Sequence, residues 1–293
     1  MTTMVMTGGT SGFGAITAER LQGGSARVLL GGRAGAGVLP LDLAELDSVR
    51  RFAAAVRDEL GETPIDALIL NAGVVRPDAE GRTVDGLETT FAVNHLAHYL
   101  LLRALLPALA PDAIVTLTTS GTHDPATGAG LVTPRHADAE LLAHPERDPD
   151  RDTKPSDAGQ HAYTASKLCA VLTVRALAER HPGLTVLAYD PGQVFGTGLA
   201  KDLALPLRVA WKVLGTPVGA PVRRLSPTRN TRHAAGNALA DLVFRLEPPP
   251  EGHTYAALRR GKLAWTEPSV LARDDKLAAT LWADSARLAG LPE

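Results

Sequence analysis

The sequence predicts an α/β protein whose core is one doubly wound parallel sheet flanked by helices on both faces. Short apolar or β-branched runs alternate with segments of helical periodicity along the chain, which is the pattern of consecutive βαβ units. The first such run, residues 4–6, breaks directly into a glycine-rich turn that opens a helix. The 293 residues show no internal repeat and no interdomain linker, so a single domain over residues 1–293 is expected.

The glycine-rich turn reads Thr7-Gly-Gly-Thr-Ser-Gly-Phe-Gly14 and predicts a phosphate site. Glycines allow the backbone to approach a pyrophosphate closely, and the free N–H groups and dipole of a helix N-terminus favour its negative charge. The helix that follows, residues 15–22, ends at Gly23-Gly24. The glycine spacing differs from G-x-G-x-x-G, so a tight turn without a ligand is the alternative.

The second strand, residues 27–32, ends at Arg33. In NAD-binding sheets of this kind, an acidic residue near this point accepts hydrogen bonds from the ribose 2′-hydroxyl. No Asp or Glu lies near this strand end, and an Arg suits a 2′-phosphate, so the sequence favours NADP(H) over NAD(H). A solvent-facing Arg33 is the alternative. The short connection to residues 40–43 leaves little room for a helix between the second and third strands.

The central part of the chain places polar residues in an apolar helix and at a strand end. Asn94 stands in the apolar helix and needs a partner if it is buried. Ser120 follows the fifth strand and reaches the carboxyl edge of the sheet, where ligand-contacting groups lie in open parallel sheets. The elements predicted here are a helix over 46–56, a strand at 65–70, a helix over 91–106 and the fifth strand at 113–119.

Two segments of the second half have weaker patterns. Residues 121–160 form an irregular stretch, and the proline and charge content of residues 144–157 predicts a solvated loop or flap. Residues 198–235 include an apolar stretch with Trp211, which fits either a lid over an apolar ligand or a contact with a second subunit. The remaining predicted elements are a strand at 185–189, a helix at 237–246, a final strand region at 255–264 and a helix at 274–291.

A phenol and an ammonium stand four residues apart in Tyr163-Thr-Ala-Ser-Lys167. Residues 161–180 have helical periodicity, so the two side chains would share one helix face. A neighbouring cation stabilises a phenolate and lowers the pKa of a tyrosine from about 10, which would make Tyr163 a usable proton donor or acceptor. A half-buried Tyr beside a snorkelling Lys is the alternative, because this spacing is common by chance.

Composition limits the classes of function. A net charge of −2 without a Lys/Arg run argues against nucleic acid or an anionic membrane as a partner. No apolar stretch approaches the roughly 20 residues of a membrane span, and no signal peptide is visible. The single Cys169 excludes an intrachain disulfide, and the nine histidines lack metal-ligand spacing. We therefore expect a soluble, cytoplasmic enzyme that acts on a small molecule without a metal.

Taken together and in order, these motifs resemble those of the short-chain dehydrogenase/reductase family over essentially the whole chain. The match also covers Asn71-Ala-Gly73 after the fourth strand, and Pro191-Gly192 with Thr197 after the sixth. The resemblance implies a Rossmann-type sheet and a nicotinamide cofactor. The predicted cofactor-binding residues are Gly8, Thr10, Ser11, Gly12, Phe13, Gly14, Arg33, Asp42, Leu43, Asn71, Ala72, Gly73, Tyr163, Lys167, Pro191, Gly192, Val194 and Thr197.

The resemblance also implies roles for individual side chains. Tyr163 would be the general acid in carbonyl reduction and the general base in the reverse oxidation. Lys167 would bond the nicotinamide ribose and lower the pKa of Tyr163. Ser120 would hold the substrate oxygen, and Asn94 would position a water in a proton relay behind Lys167. Asp42 would contact the adenine.

The end of the fifth strand departs from the family pattern. It reads Thr118-Thr-Ser-Gly121, where the family usually has two serines. A shift of one residue in register would give Thr119 the catalytic hydroxyl. Ser120 is the preferred assignment.

The interval from Ser120 to Tyr163 is far longer than in most members of the family. This insertion, the Asn94-His95 pair and the tail Leu281-Trp-Ala-Asp-Ser285 most resemble the retinol-dehydrogenase and protochlorophyllide-reductase branch. The resemblance raises the expectation of a bulky apolar substrate.

The leading functional interpretation is an NADP(H)-dependent oxidoreductase that transfers a hydride between nicotinamide and a ketone or secondary alcohol. The substrate scaffold would be apolar, polycyclic or like a natural product, and reduction is the preferred direction because an NADPH preference usually serves it. One alternative is an enzyme of the same fold with redox-neutral chemistry, such as epimerisation, dehydration or cyclisation. A non-catalytic NADP-binding sensor is disfavoured, because a sensor has no need of Tyr163.

Other features carry less information. His123, three residues after Ser120, could face the pocket, but a loop histidine is the preferred interpretation, and Cys169 is interpreted as a small core residue. The family resemblance allows a monomer, a dimer or a tetramer. The excess of Arg over Lys and the abundance of Ala and Gly indicate a GC-rich bacterial source, in which a role in secondary metabolism is expected.

Overall fold

The computed structural model describes residues 2–24, 26–195, 209, 213–219, 221 and 226–292. Its centre is an eight-stranded sheet, beside which β7 and β8 form a separate two-stranded pair. The strands in chain order are β1 (Thr3–Thr7), β2 (Arg27–Gly32), β3 (Val38–Pro40), β4 (Ile65–Leu70), β5 (Leu109–Thr118), β6 (Thr185–Asp190), β7 (Gln193–Val194), β8 (Arg229–Asn230), β9 (Tyr255–Arg259) and β10 (Lys262–Trp265).

The order of strands across the large sheet is β10-β9-β6-β5-β4-β1-β2-β3. Neighbouring strands are parallel apart from the antiparallel β9–β10 pair. The chain changes its direction of travel across the sheet between β1 and β4, the position at which doubly wound sheets bind ligands. Thr7 and Leu70 are register partners there, so Gly8 and Asn71 leave the sheet side by side. The predicted doubly wound parallel sheet is confirmed, apart from the edge strand β10, which is antiparallel.

Helices cover both faces of this sheet. They are α1 (Gly12–Gly23), α2 (Leu46–Leu60), α3 (Thr89–Phe91), α4 (Ala97–Leu105), α5 (Ala139–Ala143), α6 (Pro155–Arg180), α7 (Arg232–Val243) and α8 (Asp275–Leu288). Apolar side chains of α2, α4, α6 and α8 form the core on one face, and those of α1 and α7 form the core on the other. Within the described ranges, no helix has both the length and the apolar character needed to cross a bilayer.

Helix α2 shows how the sequence pattern produces this packing. Val49, Phe52, Ala53 and Val56 follow the helical period, and each is at most 1 % exposed. Strand β1, in contrast, is buried on both faces and reads as a continuous run rather than an alternation. The predicted absence of a helix between β2 and β3 is confirmed, since only residues 33–37 join them.

The insertion at residues 121–160 is more ordered than the sequence pattern indicates. Helix α6 begins at Pro155, inside the segment predicted to be a loop, and proline is favourable in a first helical turn because its φ is already helical. Helix α5 buries Leu142 against the core. Most of residues 144–157 are exposed as predicted, but Asp148 is buried and pairs with Arg135 at 2.9 Å.

The helix predicted around Asn94 is interrupted by a π-helical turn at Ala92–Leu96. Such a turn inserts one residue into the helix and often occurs at functional sites. The buried carboxylate of Glu88 caps the start of α3 by accepting hydrogen bonds from the backbone N–H groups of Thr90 (2.8 Å) and Phe91 (2.7 Å). Asn94 therefore lies in a helix whose beginning is fixed and whose hydrogen-bond ladder is irregular.

About half of the predicted lid at residues 198–235, including Trp211, lies outside the described residues, and Thr197 also lies outside them. Its described part includes a 3-10 turn at Pro217–Gly219, strand β8 and the start of α7. The lid therefore stays a prediction.

Candidate active site

The glycine-rich loop after β1 is tied to the Asn-Ala-Gly segment after β4. The hydroxyl oxygen of Thr7 accepts hydrogen bonds from the backbone N–H groups of Asn71 (3.0 Å) and Ala72 (3.2 Å). The Asn71 amide donates to the carbonyl of Gly8 at 3.1 Å and accepts from the Thr118 hydroxyl at 2.9 Å. Three strand ends are thus joined at the switch point of the sheet.

The backbone of the glycine-rich loop forms an open cradle at the start of α1. Gly8 and Gly12 have φ values of 69° and 62°, a region that favours glycine. A Cβ at Gly14 would lie 2.1 Å from the Gly8 carbonyl oxygen, so a side chain there would disrupt the loop. Ser11 precedes the helix without capping it, which leaves the first-turn N–H groups available to an anion. These features fit the pyrophosphate of a dinucleotide.

The remaining predicted residues of this loop surround the cradle. Thr10 and Ser11 are exposed at the helix start, and the Thr10 methyl would lie 3.5 Å from a Cβ built at Gly32. Phe13 is half-buried and packs against the core on the α1 side. The loop therefore reaches the end of β2, where the adenosine of a dinucleotide would lie.

The predicted adenosine-side residues follow β2 and β3. Arg33 is exposed directly after β2. The Asp42 carboxylate accepts a hydrogen bond from the Ala44 N–H at 2.9 Å, and its backbone N–H donates to the Ser48 hydroxyl at 2.9 Å. Leu43 is half-buried against the core. Asp42 is thus held in a tight turn at the same edge as Arg33.

Asn94 is buried and fully hydrogen-bonded. Its side-chain oxygen accepts from the Val74 N–H at 2.8 Å, and its amide donates to the Val74 carbonyl at 2.9 Å and the Ser166 hydroxyl at 3.0 Å. Ser166 in turn donates to the Tyr163 carbonyl at 2.7 Å. These bonds connect the π-helical turn to the helix that carries Tyr163 and to the segment after Gly73.

Lys167 lies between Tyr163 and the Asn-Ala-Gly segment. Its ammonium donates to the Thr118 carbonyl at 3.0 Å and lies 5.7 Å from the centroid of the Tyr163 ring. A Cβ at Gly73 would lie 3.5 Å from the Lys167 nitrogen and 3.4 Å from the Asn94 side-chain oxygen. The structure therefore brings Asn94, Tyr163 and Lys167 together.

Ser120 and Thr119 have different surroundings at the end of β5. The Thr119 hydroxyl is buried and donates to the Lys167 carbonyl at 2.7 Å, so it points away from Tyr163. Ser120 is half-exposed, and its hydroxyl interacts with the Tyr163 phenol and lowers the pKa of that phenol. This arrangement favours Ser120, and the assignment of the catalytic hydroxyl to Ser120 stays a prediction.

Burial dominates the ionisation of the Tyr163–Lys167 pair. Loss of hydration raises the pKa of Tyr163 to about 12, although the Ser120 hydrogen bond partly offsets that rise and the Asp190 carboxylate adds to it. Burial lowers the pKa of Lys167 to about 8, and Asp190 opposes that change. The lowering of the Tyr163 pKa predicted from the sequence does not occur in the protein alone, because Ser120 supplies the favourable contact and burial exceeds it.

The Pro191-Gly192 loop after β6 faces the same edge. Asp190, at the end of β6, accepts a hydrogen bond from the Gly192 N–H at 2.9 Å and pairs with Arg259 at 2.9 Å. Gly192 has a φ of 69°, and Val194 is buried in β7. Asp190 therefore fixes the turn that would border the nicotinamide.

Sequence reasoning missed two groups at this site. Asp190 was overlooked because its partner Arg259 is 69 residues away. His98 was overlooked because it lies in an apolar helix and no sequence motif includes it. Its Nδ1 hydrogen-bonds to the Asn94 carbonyl (3.1 Å), and its Nε2 hydrogen-bonds to the Thr7 hydroxyl (2.9 Å). The carbonyl can only accept, so Nδ1 carries the hydrogen and Thr7 donates to Nε2. Burial lowers the pKa of His98 to about 4 and keeps it neutral.

The geometry predicts different effects for Ser120→Ala and Thr119→Val. Loss of a donor to the substrate oxygen should reduce kcat by about 100-fold in Ser120→Ala, with little change in stability. Thr119→Val removes the hydrogen bond to the Lys167 carbonyl, which keeps its place in the ladder of α6, and should lower the free energy of unfolding by about 1 kcal/mol, with a much smaller effect on kcat. Steady-state kinetics and urea unfolding measure both. A fully stable Thr119→Val enzyme with the larger loss of kcat would reverse the assignment.

Comparison with known proteins identifies relatives of this chain. A family model described as short chain dehydrogenase matches residues 2–128. The chain is 30 % identical to chloroplastic protochlorophyllide reductase B of Oryza sativa subsp. japonica, over 99 % of this chain and 78 % of that protein. It is 33 % identical to human retinol dehydrogenase 13, over 86 % of this chain and 68 % of that protein.

Solved structures share the fold. A structure of an uncharacterized protein from Mycobacterium paratuberculosis matches with a TM-score of 0.69 and 26 % identity, over 99 % of this chain and 94 % of that one. An alcohol dehydrogenase from Thermococcus sibiricus matches with a TM-score of 0.59 and 19 % identity, over 92 % of this chain and 99 % of that one. The relatives above, together with the family model, establish that the chain belongs to the short-chain dehydrogenase/reductase family and is an oxidoreductase that uses a nicotinamide cofactor.

Proposed function

We propose that the protein is an NADP(H)-dependent reductase that converts a ketone on a bulky apolar scaffold to a secondary alcohol. The observation that carries the proposal is the meeting of the Tyr163 phenol with the Ser120 hydroxyl beside Lys167, at the sheet edge that also bears the glycine cradle. A proton donor and a second hydroxyl at one point suit a carbonyl oxygen, which gains negative charge as the carbonyl carbon is reduced.

The residues divide the chemistry between them. When bound, the nicotinamide supplies a hydride to the carbonyl carbon. The Ser120 hydroxyl holds the carbonyl oxygen, and the Tyr163 phenol gives it a proton. Lys167 holds a positive charge near the phenol, and Asn94 fixes the helix behind Lys167 through its bonds to Val74 and Ser166.

The protonation of Tyr163 suits reduction, which is the proposed direction. A pKa of about 12 keeps the phenol protonated at neutral pH, and a protonated phenol is the form that reduction requires. Oxidation of an alcohol requires the phenolate, which burial disfavours. The protein alone therefore holds Tyr163 in the form that donates a proton during reduction.

The proposed preference for NADP(H) rests on Arg33. It is exposed at the end of β2, next to the turn that holds Asp42, and no acidic residue occupies the strand end. A guanidinium there can pair with a 2′-phosphate, whereas the ribose 2′-hydroxyl of NAD(H) gains little from it.

Arg33→Ala should therefore lower kcat/KM for NADPH by about tenfold, the loss of about 1.4 kcal/mol of charge-assisted bonding. The value for NADH should change little, and the NADH assay is the internal control for folding. Equal losses of kcat/KM with the two cofactors would show that Arg33 does not bind the 2′-phosphate.

The proposed substrate class draws on the relatives. Two of them are named for protochlorophyllide and for retinol, which are bulky and apolar compounds. This chain shares with them the fold and about a third of its residues. An aromatic or polycyclic ketone is the substrate class that these names favour.

The proposal is tested by incubating the purified protein with NADPH or NADH and a panel of aromatic and polycyclic ketones. Oxidation of NADPH that depends on the ketone, with the alcohol identified by mass spectrometry, is the expected result. Protein that carries tightly bound cofactor and converts a substrate without net NADPH consumption would instead establish redox-neutral chemistry. Tight cofactor binding without conversion of any compound would contradict the reductase proposal.

A further inference from the structure

His123 lies in the 3-10 turn Gly121–His123, directly after Ser120. A histidine in such a loop is expected to face solvent or the pocket, but this side chain is fully buried. Its backbone N–H donates to the Ser120 carbonyl at 3.2 Å, and its ring Nδ1 lies 2.7 Å from the same oxygen. The Ser120 carbonyl therefore accepts two hydrogen bonds from His123.

The partners of the imidazole define its tautomer. The Ser120 carbonyl can only accept, so Nδ1 must carry the hydrogen. The backbone N–H of Ser269 can only donate, and it lies 3.3 Å from Nε2, which must therefore be the acceptor. Neutral His123 satisfies both contacts, whereas a protonated ring would place a hydrogen on Nε2 against the Ser269 N–H.

The ring is also supported from its side. Tyr255 packs edge-on against it with ring centroids 5.6 Å apart, and the Tyr255 hydroxyl donates to the Asp190 carboxylate at 3.3 Å. A Cβ at Gly121 would lie 2.9 Å from that carboxylate. The charged groups that face His123 are Asp190, Asp124 and Arg259.

These contacts connect three separate parts of the chain around Ser120. The Ser120 turn is bonded to Ser269 in the C-terminal segment through His123, and it packs against Asp190, which holds the turn after β6. The Ser120 hydroxyl itself accepts from the Thr122 N–H at 3.3 Å. Its direction toward Tyr163 thus depends on the path of the Ser120–His123 turn.

We propose that His123 is a positioning residue that holds the Ser120 turn so that the serine hydroxyl meets the Tyr163 phenol. The inference rests on the proposed reductase function and deepens it. His123 does not reach the reacting atoms, since both ring nitrogens are bonded to backbone groups, and it acts through Ser120 alone. A substitution of His123 should therefore change kcat and leave cofactor binding unchanged.

The test compares His123→Leu and His123→Asn with wild type, using the best ketone from the panel and NADPH. His123→Leu should reduce kcat by about tenfold to a hundredfold, because a displaced catalytic group costs this much, while KM for NADPH stays near normal. In His123→Asn, the amide can replace Nδ1 as donor to the Ser120 carbonyl, so most of the lost kcat should return. Equal losses in the two variants would overturn the inference.

A matched control is Tyr99→Phe. The Tyr99 hydroxyl donates to the Trp282 carbonyl at 2.8 Å, so this substitution also removes a buried hydrogen bond between a ring and the backbone of the C-terminal segment. Tyr99→Phe should lower the melting temperature without lowering kcat. If His123→Leu behaves in the same way, with normal kcat and a lower melting temperature, His123 is only structural.

The dependence on Ser120 is tested by a double-mutant cycle. If His123 acts through Ser120, then adding His123→Leu to Ser120→Ala should cause no further loss of kcat. Multiplied losses in the double variant would overturn the inference. A wild-type protein that reduces no ketone contradicts the proposed function instead, so the two failures are distinguishable.

Discussion

Tyr163→Phe is expected to reduce turnover by about 100-fold to 10,000-fold, the usual contribution of a positioned general acid or base. The substitution removes only the phenol oxygen, so the buried ring keeps its packing and its contact with the Lys167 ammonium. The dissociation constant for NADPH should therefore change little. Ketone-dependent oxidation of NADPH measures the first quantity, and a fluorescence titration with NADPH measures the second.

Tyr189→Phe is the matched control for this experiment. Tyr189 is also buried, but its hydroxyl donates to the Ala235 carbonyl at 2.9 Å, on the face of the sheet that packs against α1 and α7. We expect turnover to be unchanged and the free energy of unfolding to fall by about 1 kcal/mol, the value of one buried hydrogen bond. If Tyr163→Phe also keeps full turnover, its phenol supplies no proton and the proposed mechanism is wrong.

The kinetic effect of Tyr163 depends on its environment more than on its sequence spacing to Lys167. The four-residue spacing places both side chains on one face of α6, as the periodicity indicates. The sign of the pKa shift of Tyr163 is nevertheless opposite to the prediction, because desolvation of a buried phenol cannot be read from the spacing of two residues. Burial is a property of the whole fold.

Local patterns predicted most of the sheet and its helices, because burial repeats with the period of each element. The apolar positions of α2 and the strand β4 are examples. The pattern could not predict the π-helical turn at Ala92–Leu96, since residues 91–102 are all buried and a shift of the apolar face does not show in such a run. It also placed the start of α6 six residues too late, at His161 instead of Pro155, because the first turn of that helix is polar and exposed.

Contacts between distant residues explain what the sequence could not show at the site. His123 was interpreted as a loop histidine because its partner Ser269 is 146 residues away. The choice between Thr119 and Ser120 depends on which way each side chain leaves the end of β5, and the Lys167 carbonyl that accepts from Thr119 is 48 residues away. Neither partner has a residue type that would have indicated the contact, since both bonds use backbone groups.

Gly14→Ala is expected to weaken NADPH binding by about tenfold to a hundredfold, because relief of an overpacked contact costs about 1–3 kcal/mol. The added methyl would lie 2.1 Å from the Gly8 carbonyl oxygen and 2.6 Å from the Asn71 side-chain nitrogen. The Gly8 carbonyl cannot move freely, because it accepts the 3.1 Å bond from Asn71. The loop must therefore open, and the N–H groups at the start of α1 lose their alignment toward a pyrophosphate.

Gly23→Ala is the matched control, since Gly23 ends the same helix and a Cβ there would meet no atom within 4 Å. It should leave NADPH binding unchanged and raise the free energy of unfolding by about 0.4–1 kcal/mol, because alanine restricts the unfolded chain. Calorimetric titration with NADPH and urea unfolding of both variants give the comparison. If Gly14→Ala binds NADPH as tightly as Gly23→Ala does, the cradle after β1 does not hold the pyrophosphate. The cofactor would then have to contact a different part of the sheet edge, and the roles of Tyr163 and Lys167 would no longer follow from their position beside it.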